Sequence, residues 1–118
     1  MDSLKSKKEF DIVYKRGSKR YTKHFTLYLL RLDDKGLLSA RKTLMSDDFL
    51  LGLSVSRKIG KAVKRNFIKR RIRFMCNKHL EKLKDYALIF VAKEGVANIS
   101  YAGLELDFLR CLRGYLRF

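Results

Sequence analysis

The 118 residues, 47% of them apolar, suit one domain with a core of its own, expected to span residues 1–118. The 28 Lys and Arg against 12 Asp and Glu leave a formal charge of +16, a self-repulsion that an enzyme of small neutral substrates has no reason to carry and that a polyanion relieves. Cys76 and Cys111 are too few for a disulfide framework and too far apart for a zinc site, and no apolar run approaches the roughly 18–20 residues of a membrane span.

The opening MDSLKSKKEF is charged with no apolar stretch behind it, so it does not read as a secretory signal and a cytoplasmic setting is expected. Residues 7–14 place Phe10, Val13 and Tyr14 at helical spacing, with Ser6 and Glu9 in the positions of a capping box and Gly17 as a stop. Residues 25–32 (FTLYLLRL) and 49–55 (FLLGLSV) suit strands, and 87–92 (ALIFVA) suits a buried one. Between the first two, residues 33–48 form a connection carrying the pairs Asp33/Asp34 and Asp47/Asp48, with room for a short strand or a turn of helix around 37–44.

Residues 61–83 contain no Gly or Pro and are expected to form the longest helix, opened by Gly60. The last helix is expected over 101–116, striped by Tyr101, Leu104, Phe108, Leu112 and Tyr115, with Gly114 weakening its final turn. The pattern, helix, two or three strands, helix, strand, helix, describes an α+β protein, a single sheet with three helices packed on it, in the order α-β-β-β-α-β-α when the third strand is counted.

From Arg57 to Arg73 the chain has nine Lys or Arg and no acid. A solvated helix face normally mixes signs, since Glu and Lys four apart support each other, so an all-positive stretch points to a nucleic acid. With about 100° per residue and Val63 at zero, Ile68, Ile72, Met75, Cys76 and Leu83 fall between roughly 120° and 220°, a core stripe. Arg65, Asn66, Lys69, Arg70 and Arg73 fall between roughly 200° and 340°, a polar ribbon along one flank of it. Arg forks and Lys point charges on such a ribbon can follow a phosphate backbone, and Arg57, Lys58 and Lys61 around Gly60 add charge where amides at a helix start attract anions. A solvated basic face is the plain alternative, with Gly60 merely starting the helix and Asn66 merely capping or bridging backbone.

Phe10, Tyr14, Tyr21 and Tyr28 lie close to positive charge, and aromatic faces beside cations are the chemistry of sequence-tolerant single-strand binding. Core packing is the alternative for each. Tyr28 is one out of step with Leu27 and Leu29, which puts it on the other face of its strand. His24 and His79 are far apart with no carboxylate cluster beside either, so no catalytic residue and no metal site is expected in the protein alone.

The string SVSRKIGKAVKRNFIKRRIR (residues 54–73) resembles the signature of the bacterial ribonuclease P protein family: a basic-Gly loop, Ala-Val, Arg-Asn, Lys-Arg and a final Arg, here Lys58, Gly60, Ala62, Val63, Arg65, Asn66, Lys69, Arg70 and Arg73. The opening LKSKKEFDIVYKRG (residues 4–17) is similar to the family's first helix, which ends in Arg-Gly. Phe67 departs from the pattern, standing where the family often has a basic residue. On the wheel it falls beside Val63 and Phe74 and away from the ribbon, where it can pack instead of contacting RNA.

The resemblance implies a ribosomal-protein-like sandwich with a left-handed βαβ crossover, which topology rules would not suggest. It also implies a non-catalytic protein subunit: the ribonuclease P RNA, with Mg²⁺, hydrolyses the 5′ end of precursor tRNA. The protein's part is to hold the single-stranded 5′ leader in a cleft between sheet and first helix, here Lys5, Phe10, Tyr14 and Tyr28, while the 65–73 ribbon faces the catalytic RNA. No obligate protein partner is evident. Charge and aromatics also fit a non-catalytic ribosome-associated protein. A DNA-binding regulator lacks a helix-turn-helix partner and enough Asn or Gln to read bases.

Overall fold

A computed structural model of the chain describes residues 2–40 and 49–115. The first strand, β1 (Asp2–Ser3), is only a parallel edge pair, Asp2 beside Leu50 and Ser3 beside Leu51, prolonged by the Leu4 N–H on the Leu51 carbonyl at 3.1 Å. Helix α1 (Lys7–Arg16) starts at the expected capping box: the Glu9 N–H donates to Ser6 Oγ at 3.1 Å, and Glu9 Oε1 accepts from the Ser6 N–H at 2.9 Å and from that of Lys5 at 3.1 Å. It ends at Gly17, whose N–H donates to the Val13 carbonyl at 2.9 Å; a Cβ there would sit 2.5 Å from that oxygen, so close approach requires the glycine.

Strands β2 (Ser18–Tyr21) and β3 (Phe25–Arg31) form an antiparallel hairpin pairing Ser18 with Leu29 and Tyr21 with Thr26. Thr22 Oγ1 closes its turn by accepting the Phe25 N–H at 3.0 Å. Next comes a short helix, α2 (Lys35–Ala40), begun by Asp34 Oδ2, which accepts the N–H groups of Gly36 and Leu37 at 3.0 and 3.2 Å. Helix therefore answers the open question around 37–44 as far as Ala40; the rest of that connection, with Asp47 and Asp48, lies outside the described residues.

Strand β4 (Leu50–Ser54) leads through a 3-10 turn at Arg57–Ile59 into α3 (Ala62–Lys78), then α4 (Leu80–Leu83), β5 (Tyr86–Ala92), a second 3-10 turn at Val96–Asn98, and α5 (Tyr101–Arg113). The sheet runs β1-β4-β5-β3-β2; β4 and β5 are parallel neighbours joined through α3, a βαβ unit, while β3 is antiparallel to β5.

Strand alternation splits the interior into two cores. Phe25, Leu27, Leu29, Leu51, Leu88 and Phe90 face Ile68, Ile72, Met75 and Cys76 of α3 and Leu104, Phe108 and Leu112 of α5. Leu50, Ala87 and Ile89 face Val13 of α1 and Leu37 of α2, with Tyr28 on this side, as its register predicts. Both cysteines are free and buried, and burial pushes the Cys76 thiol up to about 12.

Three expectations need correction. The helix over 61–83 is two helices, parted at His79, whose ring is anchored to α5 by a 2.7 Å contact of Nε2 with Glu105. The strands include an exposed edge, β2, and the two-residue β1, neither of them among the expected strands, and the short helices α2 and α4 are further additions to the expected order. The last helix stops at Arg113, and the Gly114 N–H turns back to the Cys111 carbonyl at 3.3 Å.

Candidate nucleic-acid interface

The basic run is presented by a turn and a helix fastened together. Arg57, Lys58 and Lys61 are all exposed around Gly60, and Arg65 reaches back from α3 to donate Nε–H to the Gly60 carbonyl at 3.2 Å. The first turn of α3 holds no acid and has no side-chain cap, so its amides and charges share one sign. Along the helix Asn66, Arg70 and Arg73 are exposed and Arg65 and Lys69 half-buried, while Ile68, Ile72, Met75 and Cys76 are buried, as the wheel predicts.

Acids are placed elsewhere. Asp34 takes Arg16 at 2.8 Å, Asp33 takes Arg31 at 3.3 Å, and Glu105 takes Lys78 at 2.9 Å. Among the described residues no carboxylate pairs with Arg57, Lys58, Lys61, Arg65, Lys69, Arg70 or Arg73, so the ribbon keeps its full charge for an external anion.

The ribbon meets the aromatics at one place. Lys69 and Arg73 line a cavity of about 320 Å³ with Ser3, Leu4, Phe10, Leu51 and Leu53, where α1 and α3, on opposite faces of the sheet, both reach its β1–β4 edge. Phe10 lies over Gly52: a Cβ there would be 2.8 Å from Phe10 Cε1 and 2.9 Å from Leu4 Cδ1. From Phe10 the rings continue to Tyr14 at 6.3 Å between centroids and from Tyr14 edge-on to Tyr28 at 4.7 Å. Lys5 is exposed beside the start of α1 and, among the described residues, belongs neither to these ring contacts nor to the cavity lining.

Among the described residues, acid–base groups do not converge. Glu105 accepts from His79 at 2.7 Å, Lys78 at 2.9 Å and the Tyr101 hydroxyl at 3.2 Å, and these donors, His79 foremost, hold its carboxyl down at about 2. It is a clasp between α3 and α5. His24 lies beside Gly95, remote in the chain from that clasp. Among the described residues no three His, Cys, Asp or Glu side chains gather as a metal would require, and Asp33 and Asp34 are engaged by arginines, so these described acids do not make a Mg²⁺ site. None of the helices described is long and apolar enough to cross a membrane.

The family model named Ribonuclease P matches residues 1–115. The chain belongs to the ribonuclease P protein family. It is 42% identical to the ribonuclease P protein component of Helicobacter acinonychis, over 98% of this chain and 80% of that one. With the component of Streptococcus agalactiae serotype III it shares 33% identity, over 93% and 90%. Among solved structures it resembles the Staphylococcus aureus RNase P protein with a TM-score of 0.76 at 26% identity, covering 96% of this chain and 94% of that one. The RNase P protein of Thermotoga maritima, at 18% identity, shares the fold with a TM-score of 0.74 over 97% of each chain.

Two features of this ribonuclease P family chain escape sequence reasoning. Lys19 sets its ammonium 5.3 Å from the Tyr28 ring centroid and 4.7 Å from that of Tyr21, extending the aromatic row along β2, and Tyr21 followed by Tyr28 raises its pKa. The signal is an i, i+2 pair on an edge strand, visible only once the pairing of Lys19 with Tyr28 is known. Phe67 is the other: instead of packing away it is 41% exposed, with the Arg71 guanidinium 5.2 Å above its ring.

Proposed function

We propose that this chain, as one RNA-binding domain over residues 1–118, is the protein subunit of ribonuclease P and acts in the endonucleolytic 5′ maturation of tRNA. The observation that carries the reading is the meeting of an unneutralised ribbon with an aromatic row at the cavity between Phe10, Lys69 and Arg73. A surface of that kind suits two RNAs at once. Arg57, Lys58, Lys61, Arg65, Asn66, Lys69, Arg70 and Arg73 take phosphates of the ribonuclease P RNA. Lys5, Phe10, Tyr14 and Tyr28 take the single-stranded 5′ leader of precursor tRNA, its bases against rings and its phosphates against the neighbouring cations.

The protein then promotes cleavage without acid–base chemistry of its own. Cations between two crowded polyanions lower their repulsion and raise the RNA's apparent affinity for Mg²⁺, the ion that supplies the chemistry and belongs in this reading to the RNA. The setting is the cytoplasm, where precursor tRNA is made.

Cleavage of a precursor tRNA by a bacterial ribonuclease P RNA at low Mg²⁺, with and without the protein and beside protein alone, tests this. Stimulation only when both are present is expected. Cleavage by the protein alone, or no stimulation despite RNA binding, overturns the assignment.

A further inference from the structure

On the flank of α3 opposite the Phe10 cavity lies a second surface. Phe67, Arg70, Arg71 and Phe74 of the helix face Ala97, Ile99 and Tyr101 across an open groove of about 700 Å³, the scale of a small-ligand pocket. Phe74 is 63% exposed and Val63, about three turns earlier on the same stripe, 82% exposed. An apolar stripe of this kind on a helix so rich in Lys and Arg lowers solubility unless something covers it.

The walls are built. Phe74 meets Tyr101 edge-on at 5.5 Å between centroids. Arg71 is fixed by its Nη2–H on the Ile99 carbonyl at 2.9 Å, with its guanidinium over Phe67. Tyr101 is held through its hydroxyl on Glu105. Arg70, at the rim, has no partner among the described residues and belongs to the ribbon, so the groove continues the basic surface.

We infer that this groove holds an unpaired nucleotide of the bound RNA, its base among Phe67, Phe74 and Tyr101 and its phosphate on Arg70 and Arg71. The inference rests on the RNA-binding reading above and adds a base-stacking site to it. Charge selects the occupant: a second copy would bring another +16 to a rim of arginines, whereas a nucleotide brings a flat π face for the rings and an anion for the rim.

The test uses the whole protein assembled with a bacterial ribonuclease P RNA. The chain contains no Trp, so Phe74→Trp gives a single indole reporter in the groove. Its fluorescence is expected to be quenched on assembly, with affinity kept. Phe74→Leu, which keeps apolar bulk and loses the ring, is expected to weaken RNA binding by about 5- to 150-fold, the worth of one stacked base. Phe74→Tyr restores it, and thermal melting of each exposed-site variant verifies folding.

An unquenched indole together with wild-type affinity for Phe74→Leu overturns the groove assignment while RNA binding by the wild-type chain stands. Variants that change only self-association in sedimentation overturn it in favour of a second copy. Wild-type protein that fails to bind the RNA removes the reading beneath both.

Discussion

Replacing Gly52 with Ala tests whether Phe10 is held in the cleft by the floor beneath it. The new methyl would stand 2.8 Å from Phe10 Cε1 and 2.9 Å from both Phe10 Cζ and Leu4 Cδ1. Carbon contacts are comfortable at about 3.5–4.0 Å, so one partner must give way by roughly 0.7–1.2 Å. Leu4 is buried and wedged beside β4, whereas Phe10 is half-buried with the cavity on its open side, so the ring moves first. Overpacking costs about 1–3 kcal/mol, and a stiffer unfolded chain returns about 0.4–1 kcal/mol, which leaves a net loss centred on about 1 kcal/mol and no greater than about 2.6 kcal/mol. Urea denaturation reads that loss. In the holoenzyme, the preference for precursor over mature tRNA should fall as well, by at most the ~1–3 kcal/mol of one stacked base. An unchanged or raised denaturation midpoint with intact preference would refute the reasoning, because Phe10 would then not depend on the bare backbone at residue 52.

The remaining predictions concern charge and core. Lys69→Ala and Arg73→Ala each remove a phosphate partner, so the salt dependence of RNA binding should flatten by about 0.7–0.9 in log–log slope per substitution; unchanged slopes would take those residues off the interface. The Glu105 carboxyl is held down from 4.5 to about 2 by His79, Lys78 and Tyr101, so its ionised form stabilises the fold fully above pH 4.5, a contribution lost as pH falls towards 2. Urea midpoints of the wild type and Glu105→Gln should therefore differ at neutral pH and converge between pH 4.5 and 2; a gap that is constant with pH would mean that the charge is not what matters. Phe108→Ala, at a fully buried position between α5 and the sheet, should cost about 3–5 kcal/mol in the same assay.

Much of the fold was legible because periodicity and burial agree. The core stripe of α3 follows from 3.6 residues per turn, the start of α1 from Ser6 and Glu9, and the face of Tyr28 from strand alternation. What escaped lacks a local signal. All four residues of β2 are exposed, so no apolar alternation marks it and only its pairing with β3 makes it a strand. The break at His79 has no Gly or Pro to announce it; its imidazole is engaged by Glu105 from a helix far along the chain.

The site divides the same way. Helical spacing was enough to gather Arg65, Asn66, Lys69, Arg70 and Arg73 into one ribbon, but spacing within a helix says nothing about what stands beside it. On one flank of α3, Lys69 and Arg73 meet Phe10 from α1 at the sheet edge. On the other, Arg70 and Arg71 meet Ile99 and Tyr101 from the approach to α5. One helix thus presents positive charge to two clefts on either side of it, each with aromatic walls drawn from a different part of the chain. Asp34, Asp33 and Glu105 are engaged by Arg16, Arg31 and Lys78, none of which belongs to the ribbon. An RNA strand crossing α3 can therefore be gripped by phosphate on the ribbon and by base on both flanks, which is why the loss of a ring and the loss of a charge should leave different signatures: a ring change lowers affinity at every salt concentration, and a charge change alters the slope.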